Sequence, residues 1–157
     1  MRRKAAIDAE SDRIEPDYSK VKIPLPRRKE IFWRLLDICR SLNAAVEFDI
    51  TEMNSISCCT RGEFDSSKNH ITVLKPLALK DDIDLRTLWV FAHECRHAQQ
   101  FNQRLKPDAW LFYVGVIFTQ PDADCVWLEN DADDWASDFI GQQLTKKERG
   151  KIILPSS

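Results

Sequence analysis

The chain of 157 residues has no long apolar run. Its longest, residues 109–118, is about half of what a membrane-spanning helix needs. It has no excess of either charge: 23 Lys and Arg stand against 25 Asp and Glu, a formal net of −2. Binding to phosphate backbones draws on a basic surplus, so this balance argues against a dedicated nucleic-acid binder. No apolar stretch follows Met1-Arg2-Arg3-Lys4, so a signal peptide is not expected there. The cysteines number five, an odd count without regular spacing, and are expected to be reduced thiols of a cytoplasmic protein. There is no internal repeat and no low-complexity tract. Histidine is scarce, with three in all, so where each one sits carries information. What is present, 43% hydrophobic and 31% charged residues, is ordinary for one globular domain.

Residues 1–26 mix charges with Pro16, Pro24 and Pro26 and show no sustained period. They read as a flexible arm, in which 21–25 could pair as a short strand or lie on the surface. From Arg27 apolar residues recur at helical spacing (Ile31, Leu35, Ile38, Leu42), and Asn43 makes a stop. Residues 45–50 alternate apolar and polar, as a half-buried strand does. Residues 55–60 and 70–74 are two more strand candidates, with a turn-rich connection over 61–69. Beyond Pro76, Asp82 or Asp84 can cap a helix reaching about Phe101. Pro107-Asp108 opens a further helical stretch to Phe118, and a last helix runs over about 122–144. The expected fold is α+β: a small antiparallel or mixed sheet packed on a helical bundle. One domain spans 27–150, and 151–157 form a tail.

Residues 93–97 read His93-Glu94-Cys95-Arg96-His97, an HExxH inside a strong helical pattern. Residues four apart share a helix face, so both imidazoles can reach one metal ion. Glu94 flanks the open side, where it can take a proton from water. Chance produces this pattern in on the order of one chain in a few hundred of this size. The preceding Trp89-Val90-Phe91-Ala92 takes the helix into the core, where such a cluster without a cation is costly. Cys95 falls about 200° around the helix from His93 and should point away. His70, opening a strand, reads as a surface or structural residue, since a fourth protein ligand would close the site. Adjacent Cys58 and Cys59 would face opposite sides of a strand, while Cys39, Cys95 and Cys125 read as buried small residues. The five tryptophans read mostly as core or interface.

A hydrolytic zinc site usually has three protein ligands. The third histidine and the glycine of the metzincin pattern are absent; Gln103 and Gln100 stand there instead. A carboxylate from another helix is the alternative. On the last helix Val126, Glu129, Ala132, Asp133, Ala136 and Ile140 form a stripe. By spacing, Glu129 binds the metal and Asp133 accepts the far N–H of a ligand histidine, with Asp131 and Asp133 as competing ligands. Ala132 and Ala136 would let the two helices approach closely.

HExxH followed some thirty residues on by Glu-x-x-Ala-Asp-x-aromatic-Ala resembles the gluzincin metallopeptidases. The small single-domain ImmA/IrrE-like and minigluzincin forms of bacteria and phages are most similar, over about residues 45–144. The resemblance implies one zinc ion held by His93, His97 and Glu129, with Glu94 as general base and Asp133 supporting a zinc histidine. It also implies that residues 61–65 before the His70 strand belong to a strand pair bordering the cleft. Cys95 departs from a position that is usually aliphatic, and Asn130-Asp131 is more polar than usual. No helix-turn-helix accompanies the domain.

The expected function is therefore a zinc-dependent metalloendopeptidase. Its polypeptide substrate would add as an extended strand to the small sheet, with Tyr113 and Arg96 as candidate oxyanion donors. One alternative is a catalytically silent zinc-binding module within a larger assembly, for instance of a phage. Another is a DNA-associated protease resembling the SprT class, for which only Arg2-Arg3-Lys4 and Lys146-Lys147 offer basic clusters. The apolar tail 152–154, or the 21–25 arm, is a candidate self-inhibitory strand.

Overall fold

A computed structural model describes residues 15–51, 62–76, 82–107 and 123–155. The strand expected at 55–60, the helix expected at 108–118, Tyr113 and Trp110 lie outside these residues, as do Cys58 and Cys59. The described chain is α+β, with four helices and a three-stranded mixed sheet.

Helix α1 (Leu25–Ser41) starts two residues earlier than the periodicity suggests, because Pro26 fits the first helical turn, where no N–H is needed. It buries Ile31, Leu35 and Cys39. Its end is a Schellman motif: Asn43 adopts φ 56°, Asn43 N–H donates to Arg40 O (3.1 Å) and Ala44 N–H to Cys39 O (2.9 Å). The chain leaves that turn directly into β1 (Ala45–Thr51).

Strands β2 (Gly62–Asp65) and β3 (His70–Pro76) form an antiparallel hairpin. Its turn is held by Asp65, whose carboxylate accepts from Ser67 N–H (2.9 Å) and Ser67 Oγ (2.6 Å), while Asn69 takes φ 50°. Residues 62–65 are thus a strand, not part of a turn-rich connection. Gly62 and Asp65, read as turn residues, bracket only two others, too short a stretch for a period to show. β3 pairs in parallel with β1, giving the order β1-β3-β2. The sheet is mixed, not antiparallel, because β3 inserts between its two predecessors. Ile71 and Val73 of β3 and Phe64 of β2 are buried on the face that meets helix α2.

Helix α2 (Leu85–Asn102) is capped by Asp84, whose carboxylate accepts from Thr87 N–H at 2.8 Å, so of the two candidate caps Asp84 is the one used. It runs through the centre, packed by α1, the sheet and helix α3 (Ala123–Gln142). Phe91 meets Phe32 of α1 and Phe48 of β1 with ring centroids 5.7 and 5.3 Å away. On α3, Leu128, Ala132, Ala136 and Ile140 are fully buried. Val126, expected on that stripe, is 40% exposed, and Leu128 takes the inward position. Trp89 is core, but Trp33 and Trp127 stand about half exposed.

Residues 15–24 belong to the folded unit, which corrects their assignment to a flexible arm. Tyr18, Val21 and Ile23 are buried, and Asp17 forms an antiparallel bridge with Ile153 of the tail (N···O 2.8 and 3.0 Å). Each short apolar segment is unremarkable alone; together they cover one end of the core. Among the described residues the strands of the sheet are β1, β2 and β3, and neither 15–24 nor 151–155 lies along it.

A last turn, α4 (Lys146–Arg149), carries a complete capping box between Thr145 and Glu148. Glu148 also pairs with Arg27 at the start of α1 (Nη2···Oε1 2.9 Å). The Arg27 guanidinium, aided by Thr145 N–H, holds the Glu148 carboxyl down at about 2, against an ordinary 4.5. A folded value below the unfolded one stabilises above pH 4.5, and that contribution is lost as pH falls towards 2. Because the pair is only part-buried and solvent still screens it, about 0.5–1 kcal/mol is expected. Arg27→Ala should therefore unfold more easily than wild type at neutral pH, with the deficit vanishing near pH 2. Thermal unfolding of both proteins across that range checks it.

Candidate metal centre

His93, Glu94 and His97 lie in the middle of α2, and Glu129 and Asp133 lie one turn apart on α3. All five are at most 3% exposed. Burying three carboxylates and two imidazoles together is costly unless positive charge compensates them.

The ring nitrogens show where that charge belongs. His93 Nδ1 stands 2.8 Å from Asp133 Oδ1. His97 Nδ1 stands 2.8 Å from Gln100 Oε1. The Gln100 amide has a determined orientation, since Nε2 donates to Leu128 O (2.9 Å) and to Asp131 Oδ2 (2.8 Å). Its oxygen must then accept from His97 Nδ1–H, which in the neutral ring leaves the lone pair on Nε2. The Asp133 carboxylate, as close to His93 Nδ1, favours the same tautomer of His93 by its charge.

Both Nε2 atoms turn towards Glu129. His93 Nε2 is 3.1 Å from Glu129 Oε1, His97 Nε2 is 2.8 Å from Glu129 Oε2, and the two Nε2 atoms are 3.1 Å apart. Two imidazole lone pairs and a carboxylate converge on one point, an arrangement that repels itself without a cation. Four-coordinate zinc with ligands at 2.0–2.1 Å sets donors about 3.3 Å apart, close to the spacing here. Among the described residues, His93, His97 and Glu129 are the group able to hold a metal ion. The donor set and its supports fit such an ion.

The structure also separates the competing acids. Asp131 faces away from the histidines and pairs with Arg96 (Nε···Oδ2 2.7 Å) and Gln100. Arg96 is thereby held on α3, with a second bond to Gln99 Oε1 at 3.1 Å, and is not brought to the histidine pair. Tyr113 lies outside the described residues. His70 opens β3 half-buried, 3.4 Å from Thr72 Oγ1, and is no part of the cluster.

Two residues of the site were not anticipated. Gln100 is one; its signal was its place three residues after His97, on the same helix face. Gly62 is the other. A Cβ there would sit 2.8 Å from Val90 Cγ1 and 3.1 Å from Glu94 Oε2, so the bare backbone makes room for the Glu94 carboxylate. A glycine inside a strand marks such close approach. Gly62→Ala is expected to cost about 1–3 kcal/mol through overpacking, read as a lower denaturant midpoint. An unchanged midpoint would contradict the close contact.

No family model, no curated protein and no solved structure matches the chain. No helix among the described residues is long and apolar enough to cross a membrane. The geometry thus defines a class, a buried candidate His-His-Glu metal centre carried on two packed helices.

Proposed function

We propose that this protein is a zinc-dependent metalloendopeptidase of the gluzincin kind. The observation that carries the proposal is the convergence of His93 Nε2, His97 Nε2 and Glu129 beside a buried carboxylate that is not among the donors, Glu94. When bound, zinc would polarise a scissile carbonyl and acidify a water molecule.

The chain's own residues supply the remainder. Asp133 and Gln100 hold the two imidazoles as Nε2 donors. Glu94 takes the water proton and returns it to the departing amine nitrogen. Its carboxylate lies against Gly62, the first residue of β2, which among the described residues is an edge strand of the sheet. An extended polypeptide adding to that edge through main-chain hydrogen bonds would begin beside the base.

The depth of burial favours a second reading, a metal-holding module without turnover. One experiment separates them: zinc-loaded and chelated protein are each offered unfolded casein and a peptide library, with zinc content measured alongside. One zinc per chain and chelator-sensitive new N-termini support the peptidase. One zinc without cleavage supports the module. Cleavage indifferent to chelation, or no zinc, overturns both.

A further inference from the structure

On the side of α2 away from the histidines, two thiols meet. Cys39 is the last member of the buried stripe of α1, and Cys95 sits between the two motif histidines in sequence. Both are free and at most 1% exposed, and their Sγ atoms stand 3.3 Å apart although the residues are 56 positions apart. Cys95 Sγ also lies 3.9 Å from Leu35 O, one turn back on α1. The sulfurs thus face each other across a packed helix pair, and closing a bond of about 2.05 Å needs an approach of roughly 1 Å.

We propose that Cys39 and Cys95 form an oxidisable pair that a peroxide converts, in the folded protein, into a disulfide joining α1 to α2. This does not depend on the metal reading. Cys39 lies two residues from the end of α1, and a small oxidant would reach its buried sulfur through local opening of the native chain there. Its sulfur attacks the peroxide: an S–O bond forms, the O–O bond breaks, and the thiol proton leaves with the first water. Cys95, held inside the helix, then attacks that sulfenic sulfur. The S–S bond forms, the S–O bond breaks, and the displaced hydroxide leaves with the Cys95 proton as the second water. Two thiols have lost two electrons and two protons, and one peroxide has become two waters. The link closes a long loop and restricts the unfolded chain, so the oxidised protein resists unfolding.

The test uses the full chain and a Cys58→Ser/Cys59→Ser/Cys125→Ser variant, which leaves only this pair. Each is treated with hydrogen peroxide under native conditions, alkylated after denaturation without reductant, and mapped by mass spectrometry. The expected result is a Cys39–Cys95 linked peptide, lighter by two hydrogens, with a melting temperature several degrees higher that a reductant reverses. Cys39→Ser in the same background should show no such rise. Full alkylation of both cysteines after native treatment, or a link that forms only in urea, overturns the proposal.

Discussion

Glu94→Gln is expected to abolish peptide cleavage while leaving metal binding intact. The amide has the shape of the carboxylate but cannot accept a proton, so what is removed is the base and not its volume. General-base contributions of about 10²–10⁴ in rate correspond to roughly 3–5 kcal/mol of barrier. Glu94 is not one of the three converging donors, so the zinc content should match wild type. It packs against Gly62, and Gln fits that space, so the fold should hold. The decisive measurement is kcat on one peptide substrate together with zinc per chain. Wild-type cleavage in the variant would remove Glu94 from the chemistry.

His93→Ala is expected to lose the metal. The substitution deletes one of three donors and also strips Asp133 of the imidazole it faces at 2.8 Å, leaving that carboxylate buried beside Glu129. Gln100→Ala should be milder, weakening zinc affinity about 10–100-fold, because it only frees the His97 ring to turn. In wild type, saturating zinc at a thousand times Kd should add about 4 kcal/mol of stability, or roughly 10 °C for a domain of this size. That rise should shrink in Gln100→Ala and vanish in His93→Ala. Zinc titrations followed by thermal unfolding in the three proteins check the order. An equal rise in all three would place the metal elsewhere.

These expectations rest unevenly on sequence and on structure. That His93 and His97 share a helix face follows from a spacing of four, as does the pairing of Glu129 with Asp133. The Asp84 cap, the Asn43 stop and the burial of Ala132 and Ala136 are local features of the same sort. The role of Gln100 was partly legible, being on the same face, but its orientation depends on Leu128 O and Asp131 from another helix. β2 and the buried segment 15–24 were not legible. Each is too short to show a period, and each acquires its partner from a distant part of the chain, β3 in one case and Ile153 in the other.

By itself, then, the sequence determined which side chains share a helix face, because the helical repeat ties spacing to direction regardless of context. Only the tertiary structure decided which acid joins the histidines. Spacing puts Glu129 and Asp133 on one stripe and favours Glu129, but Glu129, Asp131 and Asp133 lie within five residues of one another, and spacing alone leaves all three in competition. The contact of α2 with α3, across Ala132 and Ala136, turns Glu129 to the imidazole lone pairs, Asp133 to the far ring nitrogen and Asp131 to Arg96. That choice is one of rotation between two packed helices, and it exists only once both are in place.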